Sequence, residues 1–352
     1  MTRGGGPCPN VVAMPERFPP IEPYDAGMLD VGDGQRIYWE VSGNPDGKPA
    51  VALHGGPGSG SSPGRRRSFD PDAYRFVQFD QRGCGRSTPS VADLGTSLDT
   101  NTTDHLIGDV EKLRIHLGIG RWLVWGGSWG VTLGLAYAQR YPERVTEMVL
   151  VSCTMTRPGD VHWLYHEAGR FFPEQWRRYA DGGGNADDLV PAYDRLLNAS
   201  PDPAIRARAA RDWCDWEDAV TSLEEGWTPN ERYADPRFRM TFARLCAHYF
   251  SHAAWLEDGQ LLRDAGLLAG IPGVLIHGHF DIGGPPDVPW LLHQAWPGSE
   301  LHLVRAGHHG GDEKLADRGV EIVLLDDENC VAAMREFQQR YPEVWSEDIG
   351  GR

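Results

Sequence analysis

Leu123-Val124-Trp125-Gly126-Gly127-Ser128-Trp129-Gly130 runs directly into Val131-Thr132-Leu133-Gly134-Leu135-Ala136-Tyr137-Ala138. An apolar run enters a G-x-S-x-G turn, and an apolar, helix-forming stretch leaves it. Strand, sharp turn and helix in that order lift a serine hydroxyl to the top of a parallel sheet. Glycine at 126 and 130 suits a strained turn whose helix approaches the strands too closely for side chains. The stretch nominates Ser128 as a nucleophile. The plainer reading is a Gly-rich turn in which serine is merely small and polar.

The surrounding chain supports the nucleophile. Met28-Leu29-Asp30-Val31 and Arg36 to Val41 flank Gly32-Asp33-Gly34 and read as an antiparallel hairpin at a sheet edge. Ala50-Val51-Ala52-Leu53 is a short buried-strand run ending in the glycine loop His54-Gly55-Gly56-Pro57-Gly58-Ser59-Gly60. Arg75 to Asp80 reads as the next strand, followed by Gln81-Arg82-Gly83-Cys84-Gly85-Arg86-Ser87. Leu106, Val110, Leu113 and Leu117 recur at helical spacing before Gly118, and Val145 to Ser152 is a further strand. Alternating strand and helix from Leu53 onward imply an α/β fold, a parallel sheet with helices on both faces.

From Arg157 to Leu262 the texture changes: strand-like runs vanish and tryptophans appear at 163, 176, 213, 216, 227 and 255. This reads as a helical cap inserted into the α/β core, its tryptophans serving mainly as cap core. The strand pattern resumes at Ile271 to His277 and at Leu301-His302-Leu303-Val304. The expected organisation is core over residues 1–156, cap over 157–265 and core again over 266–352.

At 352 residues the chain can bury a sizeable core, and its formal net charge of −16 argues against nucleic-acid and anionic-membrane partners. Arg65-Arg66-Arg67 and the arginines at 206, 208 and 211 read as solvated faces or loop anchors. No stretch approaches the roughly 20 apolar residues of a membrane span, and the N-terminus lacks the apolar core of a signal peptide. Six scattered cysteines without a C-x-x-C pair fit free thiols in a reducing cytoplasm.

A serine nucleophile needs a base, and an acid to hold that base in one tautomer. In this architecture they follow the serine in the order acid, then histidine. Asp281 stands just beyond a strand in His277-Gly278-His279-Phe280-Asp281, and His308 follows the next strand in Ala306-Gly307-His308-His309-Gly310. His309 competes with His308, which is preferred because it directly follows Gly307. The oxyanion donors expected here are the backbone N–H of Trp129 and, from the glycine loop, that of Gly56. That loop lacks the G-K-[ST] ending of a P-loop. Cys84 packs beside the site rather than acting as a nucleophile.

With these residues in place, the chain resembles the proline iminopeptidases, the prolyl aminopeptidase group of α/β-hydrolases. The resemblance rests on Pro19 to Tyr24, His54-Gly55-Gly56-Pro57-Gly58, Asp80 to Ser87, Gly126-Gly127-Ser128-Trp129-Gly130, Trp213-Cys214-Asp215-Trp216-Glu217 and His308. It implies an α/β-hydrolase fold and removal of N-terminal proline from peptides, without metal or organic cofactor. It also implies that Ser128, Asp281 and His308 form the triad and that Glu217 helps bind the substrate's free amine. The chain departs from the pattern at Cys246, where the family carries a second glutamate, and at His279, where it carries arginine. Residues 312–329 match nothing in the pattern. These departures bear on proline specificity, so an esterase or amide hydrolase of the same fold is the rival expectation, and a silent binding scaffold a third.

Overall fold

The computed structural model describes residues 18–221, 223, 228–304 and 309. Strands β1 (Asp25–Gly32), β2 (Gln35–Gly43), β3 (Lys48–Leu53) and β4 (Tyr74–Phe79) precede helix α1 (Thr103–His116). Strand β5 (Trp122–Gly127), helix α2 (Trp129–Arg140) and strand β6 (Val145–Val151) follow. One eight-stranded sheet results, in the order β1-β2-β4-β3-β5-β6, completed by β7 (Gly273–Gly278) and β8 (Ser299–Val304). The pairs β1/β2 and β2/β4 are antiparallel, and every other pair is parallel. At the β1–β2 corner Asp33 and Gly34 take φ of 58° and 71°, the left-handed pair that a tight type I′ hairpin turn demands.

The central strands lack polar alternation because both their faces are covered. Side chains alternate across the sheet, so Val51, Leu53 and Val124 face one core with α1 and α2. Ala50, Ala52, Leu123 and Trp125 face a second core with Phe76, Val149 and Val151. Between β6 and β7 come α3 (Pro158–Tyr165), α4 (Pro173–Gly182), α5 (Leu189–Asp194), α6 (Pro203–Ala219), α7 (Pro236–Ser251) and α8 (Gln260–Arg263). Most of this helical layer shares its own core, in which Tyr165, Tyr179, Tyr193, Trp213 and Trp216 are fully buried and Tyr179 stacks on Tyr193 at 4.5 Å. Helix α9 (Asp287–Ala295) links the last two strands. Among the described residues no helix is long and apolar enough to cross a membrane.

Two local expectations need correction. Between β3 and β4 there is no α-helix, only the short 3-10 segment Pro63–Ser68, so strict alternation begins one unit later. Within it Arg66 is the loop anchor of the two readings of that basic run: its guanidinium donates to Glu40 Oε1 from Nε at 3.0 Å and Nη2 at 2.6 Å, with both groups buried. Trp255 is 39% exposed and stacks on His252 rather than filling the helical core. Trp227 and residues 312–329 lie outside the described residues.

The turn glycines are fixed by backbone contact. A Cβ on Gly130 would sit 2.0 Å from the Leu53 carbonyl oxygen, and one on Gly126 would sit 2.5 Å from that of Gly130. Neither neighbour is a flexible side chain that could swing away. Gly130→Ala should therefore lower unfolding stability by about 3 kcal/mol, the upper end of core overpacking, read from the denaturant midpoint.

Candidate active site

At the end of β5 the chain reverses through Ser128, whose φ of 53° and ψ of −121° lie where non-glycine residues rarely go. The turn is held by the Ser128 N–H donating to the Val151 carbonyl at 3.0 Å and by the Val131 N–H returning to the Ser128 carbonyl at 2.8 Å. Strain imposed by both neighbours aims the hydroxyl out of the sheet and into a cavity of about 560 Å³. Trp129 opens α2, so its N–H is among those a helix leaves without an intrahelical acceptor.

Two more side chains complete a line. Ser128 Oγ lies 2.8 Å from His309 Nε2, and His309 Nδ1 lies 2.8 Å from Asp281 Oδ2. With Nδ1–H donating to the carboxylate, Nε2 is left as the acceptor for the serine hydroxyl. The histidine in this line is His309; the expected His308 lies outside the described residues. Both ring nitrogens of His309 are used in this line. Its backbone N–H also donates to the Thr221 carbonyl at 2.7 Å, tying the base to the chain just after α6.

Asp281 sits in a tight loop after β7. Its N–H donates to the Gly278 carbonyl at 3.2 Å, and its Oδ1 accepts from the Gly284 N–H at 3.0 Å. Beneath the loop, buried His277 accepts from the Cys153 N–H at 2.9 Å and donates through Nε2 to the Gly284 carbonyl at 2.6 Å. His277 was not singled out in the sequence, where it reads as a strand residue; its role as a brace for the acid loop emerges only from these contacts. Burial works against the Asp281 carboxylate, but His309, His277 and the Gly284 N–H outweigh it and hold its pKa below the usual range. Burial likewise works against a His309 imidazolium, but the Asp281 charge and hydrogen bond, with Glu217 behind them, raise its pKa above the ordinary value.

The glycine loop after β3 forms the facing wall. Gly55 and Gly56 line the cavity with Ser128 and Trp129, and a Cβ on Gly55 would come within 3.3 Å of Ser128 Cβ. Gly56 takes φ of 111°, which only glycine adopts freely. Cys84 is buried beneath, its Sγ donating to the Gln81 carbonyl at 3.2 Å, and burial pushes its pKa up, which suppresses the reactive thiolate.

From the helical layer, the partly exposed Glu217 of α6 lines the same cavity. Its Oε1 accepts from the Tyr165 hydroxyl and, at 3.2 Å, from Trp213 Nε1. Burial raises its pKa, and these two donors and His309 offset that only in part. Tyr165 and Trp213 are therefore more than packing, since they present the carboxylate to the cavity. Cys246 of α7 is buried close by, its Sγ donating to the Pro57 carbonyl at 3.4 Å. His279, in the acid loop, is exposed. Among the described residues no three His, Cys, Asp or Glu side chains gather as a metal-ligand set.

Comparison with known proteins identifies the family and the fold. A family model described as the α/β hydrolase fold matches residues 49–315. The chain is 53% identical over 302 residues to a probable proline iminopeptidase of Streptomyces coelicolor, covering 84% of this chain and 93% of that protein. It is 46% identical to a proline iminopeptidase of Xylella fastidiosa, covering 84% and 94%, and 42% identical to one of Arabidopsis thaliana, covering 84% and 78%. Solved structures share the fold at low identity. A proline iminopeptidase of Mycobacterium smegmatis superposes with a TM-score of 0.56 at 17% identity, over 90% of this chain and 98% of that one. A lipase of Acinetobacter baumannii, described as putative, reaches 0.60 at 15% over 91% and 92%. The chain belongs to the proline iminopeptidase family of α/β-hydrolases, and it is a serine hydrolase of that type.

Proposed function

We propose that the enzyme releases N-terminal proline from peptides through an acyl-enzyme on Ser128. The observation that carries this reading is the hydrogen-bonded line Ser128–His309–Asp281 in the wall of one cavity with Glu217. In this reading His309 Nε2 takes the Ser128 proton as Oγ attacks the prolyl carbonyl. The backbone N–H groups of Trp129 and Gly56 receive the oxyanion. His309 then gives its proton to the departing amine, and the ester on Ser128 is hydrolysed by water through the same steps. The helical layer closes over the serine as a cap. The buried cysteines Cys84, Cys214 and Cys246, in no disulfide among the described residues, suit a reducing compartment such as the cytoplasm.

Glu217 supplies the preference for a free amine. Its hydrogen-bond donors Tyr165 and Trp213 are neutral, so an arriving ammonium would add a cationic partner and favour its ionised form. A charge-assisted hydrogen bond contributes about 1.5–3 kcal/mol, so Glu217→Gln should raise KM for prolyl anilide by about ten- to a hundred-fold. Hydrolysis of an uncharged ester should change far less. Cys246 stands where the family pattern carries a second glutamate, so Glu217 works with one carboxylate fewer and Cys246→Glu should sharpen the preference. A panel of aminoacyl anilides and simple esters with free and acetylated amines tests the assignment. Equal cleavage of prolyl and N-acetylprolyl anilide would replace it with the esterase or amidase reading.

A further inference from the structure

The proposed oxyanion donors come from two segments more than 70 residues apart, the loop after β3 and the start of α2. One buried side chain touches both. Gln81, only 3% exposed at the end of the strand-to-loop passage after β4, donates from Nε2 to the His54 carbonyl at 3.0 Å. Its Oε1 accepts from the Trp129 indole Nε1–H, also at 3.0 Å. The single amide thus uses its donor on the loop that carries Gly56 and its acceptor on the residue that carries the other N–H.

The Gln81 backbone acts in the same direction. Its N–H donates to His54 Nε2 at 3.0 Å, which makes that nitrogen the acceptor and leaves the ring proton on Nδ1. Nδ1–H then donates to the Gly55 carbonyl at 2.9 Å, and the Ser59 N–H meets the same oxygen at 3.2 Å. In a trans peptide the carbonyl and the following N–H point opposite ways. Pinning the Gly55 carbonyl therefore turns the Gly56 N–H to the other side of the loop. The peptide group is held by its carbonyl before any substrate arrives, which leaves its N–H fixed in direction, the preorganisation that makes an oxyanion hole effective.

We infer that Gln81 is a positioning residue that sets the spacing and direction of the two oxyanion donors by bridging His54 and Trp129. This rests on the reading of Ser128 as nucleophile and touches no reacting atom itself. A displacement of about 1 Å in such groups costs up to about a hundred-fold in rate, so the effect belongs in kcat rather than in substrate affinity.

The test compares wild type, Gln81→Met, Trp129→Phe and the double variant on prolyl anilide, with prolyl boronic acid as a tetrahedral mimic and free proline as a ground-state ligand. Gln81→Met should lower kcat by about 10- to 100-fold, with KM within about two-fold. Its Ki for the boronic acid should weaken by a similar factor, while inhibition by proline stays as in wild type. Trp129→Phe removes only the indole N–H and should show part of the same loss. The double variant should be no worse than Gln81→Met, because both changes break one bridge. Wild-type kcat in folded Gln81→Met, or lost kcat with an unchanged boronic acid Ki, would overturn the inference. Should Gln81→Met not fold, Trp129→Phe decides alone: unchanged kcat and boronic acid Ki would overturn it, and a joint loss would support it. A wild-type enzyme that neither accepts a fluorophosphonate on Ser128 nor cleaves prolyl anilide would remove the underlying reading and this inference with it. If it does both and the variants match it, the inference alone fails.

Discussion

His309→Ala should abolish turnover, lowering kcat by about five to six powers of ten, and Ser128→Ala should match it. The two losses are equal because hydroxyl and imidazole act as one unit: without the acceptor at Nε2 the hydroxyl keeps its proton, and without the hydroxyl the imidazole has nothing to activate. His309 uses Nε2 on Ser128 and Nδ1 on Asp281, each at 2.8 Å, so no other described side chain stands in for it. His308→Ala should retain most of the activity. Circular dichroism and thermal melts of both variants separate a lost base from a lost fold. An inactive His308→Ala beside an active His309→Ala would transfer the base to His308.

Asp281→Asn should leave the fold intact and lower kcat by about four powers of ten. The asparagine amide can present N–H to His309 Nδ1, which favours the tautomer whose Nε2 carries the proton and cannot accept one from Ser128. The same substitution has a signature in pH. Activity needs neutral His309, whose pKa is raised by Asp281 and Glu217 above the ordinary histidine value of about 6.5, against the opposing effect of burial. The acid limb of kcat/KM in the wild type should therefore lie above that value, with activity lost as pH falls through it. Removing the Asp281 charge takes away the main raising influence, so the limb of the residual activity should move to lower pH. A limb that stays in place, or moves up, would show that the titrating group is not the Asp281-paired histidine.

What could be read from the chain and what could not divides along physical lines. The strand–turn–helix that carries Ser128 was legible because its glycines are forced by backbone contacts, Gly130 against Leu53 and Gly126 against Gly130, and such constraints leave a local signature. The place of Asp281 in the loop after β7 was legible because it follows a buried strand at the carboxyl end of the sheet. The choice between His308 and His309 was not, since the two neighbours share every local feature of the sequence. Glu217 entered through family resemblance; Trp213 lies one helical turn before it on α6, but its support by Tyr165, 52 residues away, has no periodicity to betray it. Gln81, His54 and His277 escaped for the same reason. Each is a buried polar residue whose partners are set by folding rather than by spacing. Arg66 shows the converse, an arginine in a basic run that folding pulls under the surface to meet Glu40.

The most direct test of the central claim is the mass of the enzyme quenched in acid during turnover of an activated prolyl ester. Such an ester acylates faster than the product leaves, so the intermediate accumulates. The predicted result is one added prolyl residue, mapped to the peptide that carries Ser128 and absent from Ser128→Ala. Turnover of the ester with the added mass on another residue, or undiminished turnover by Ser128→Ala, would contradict the account.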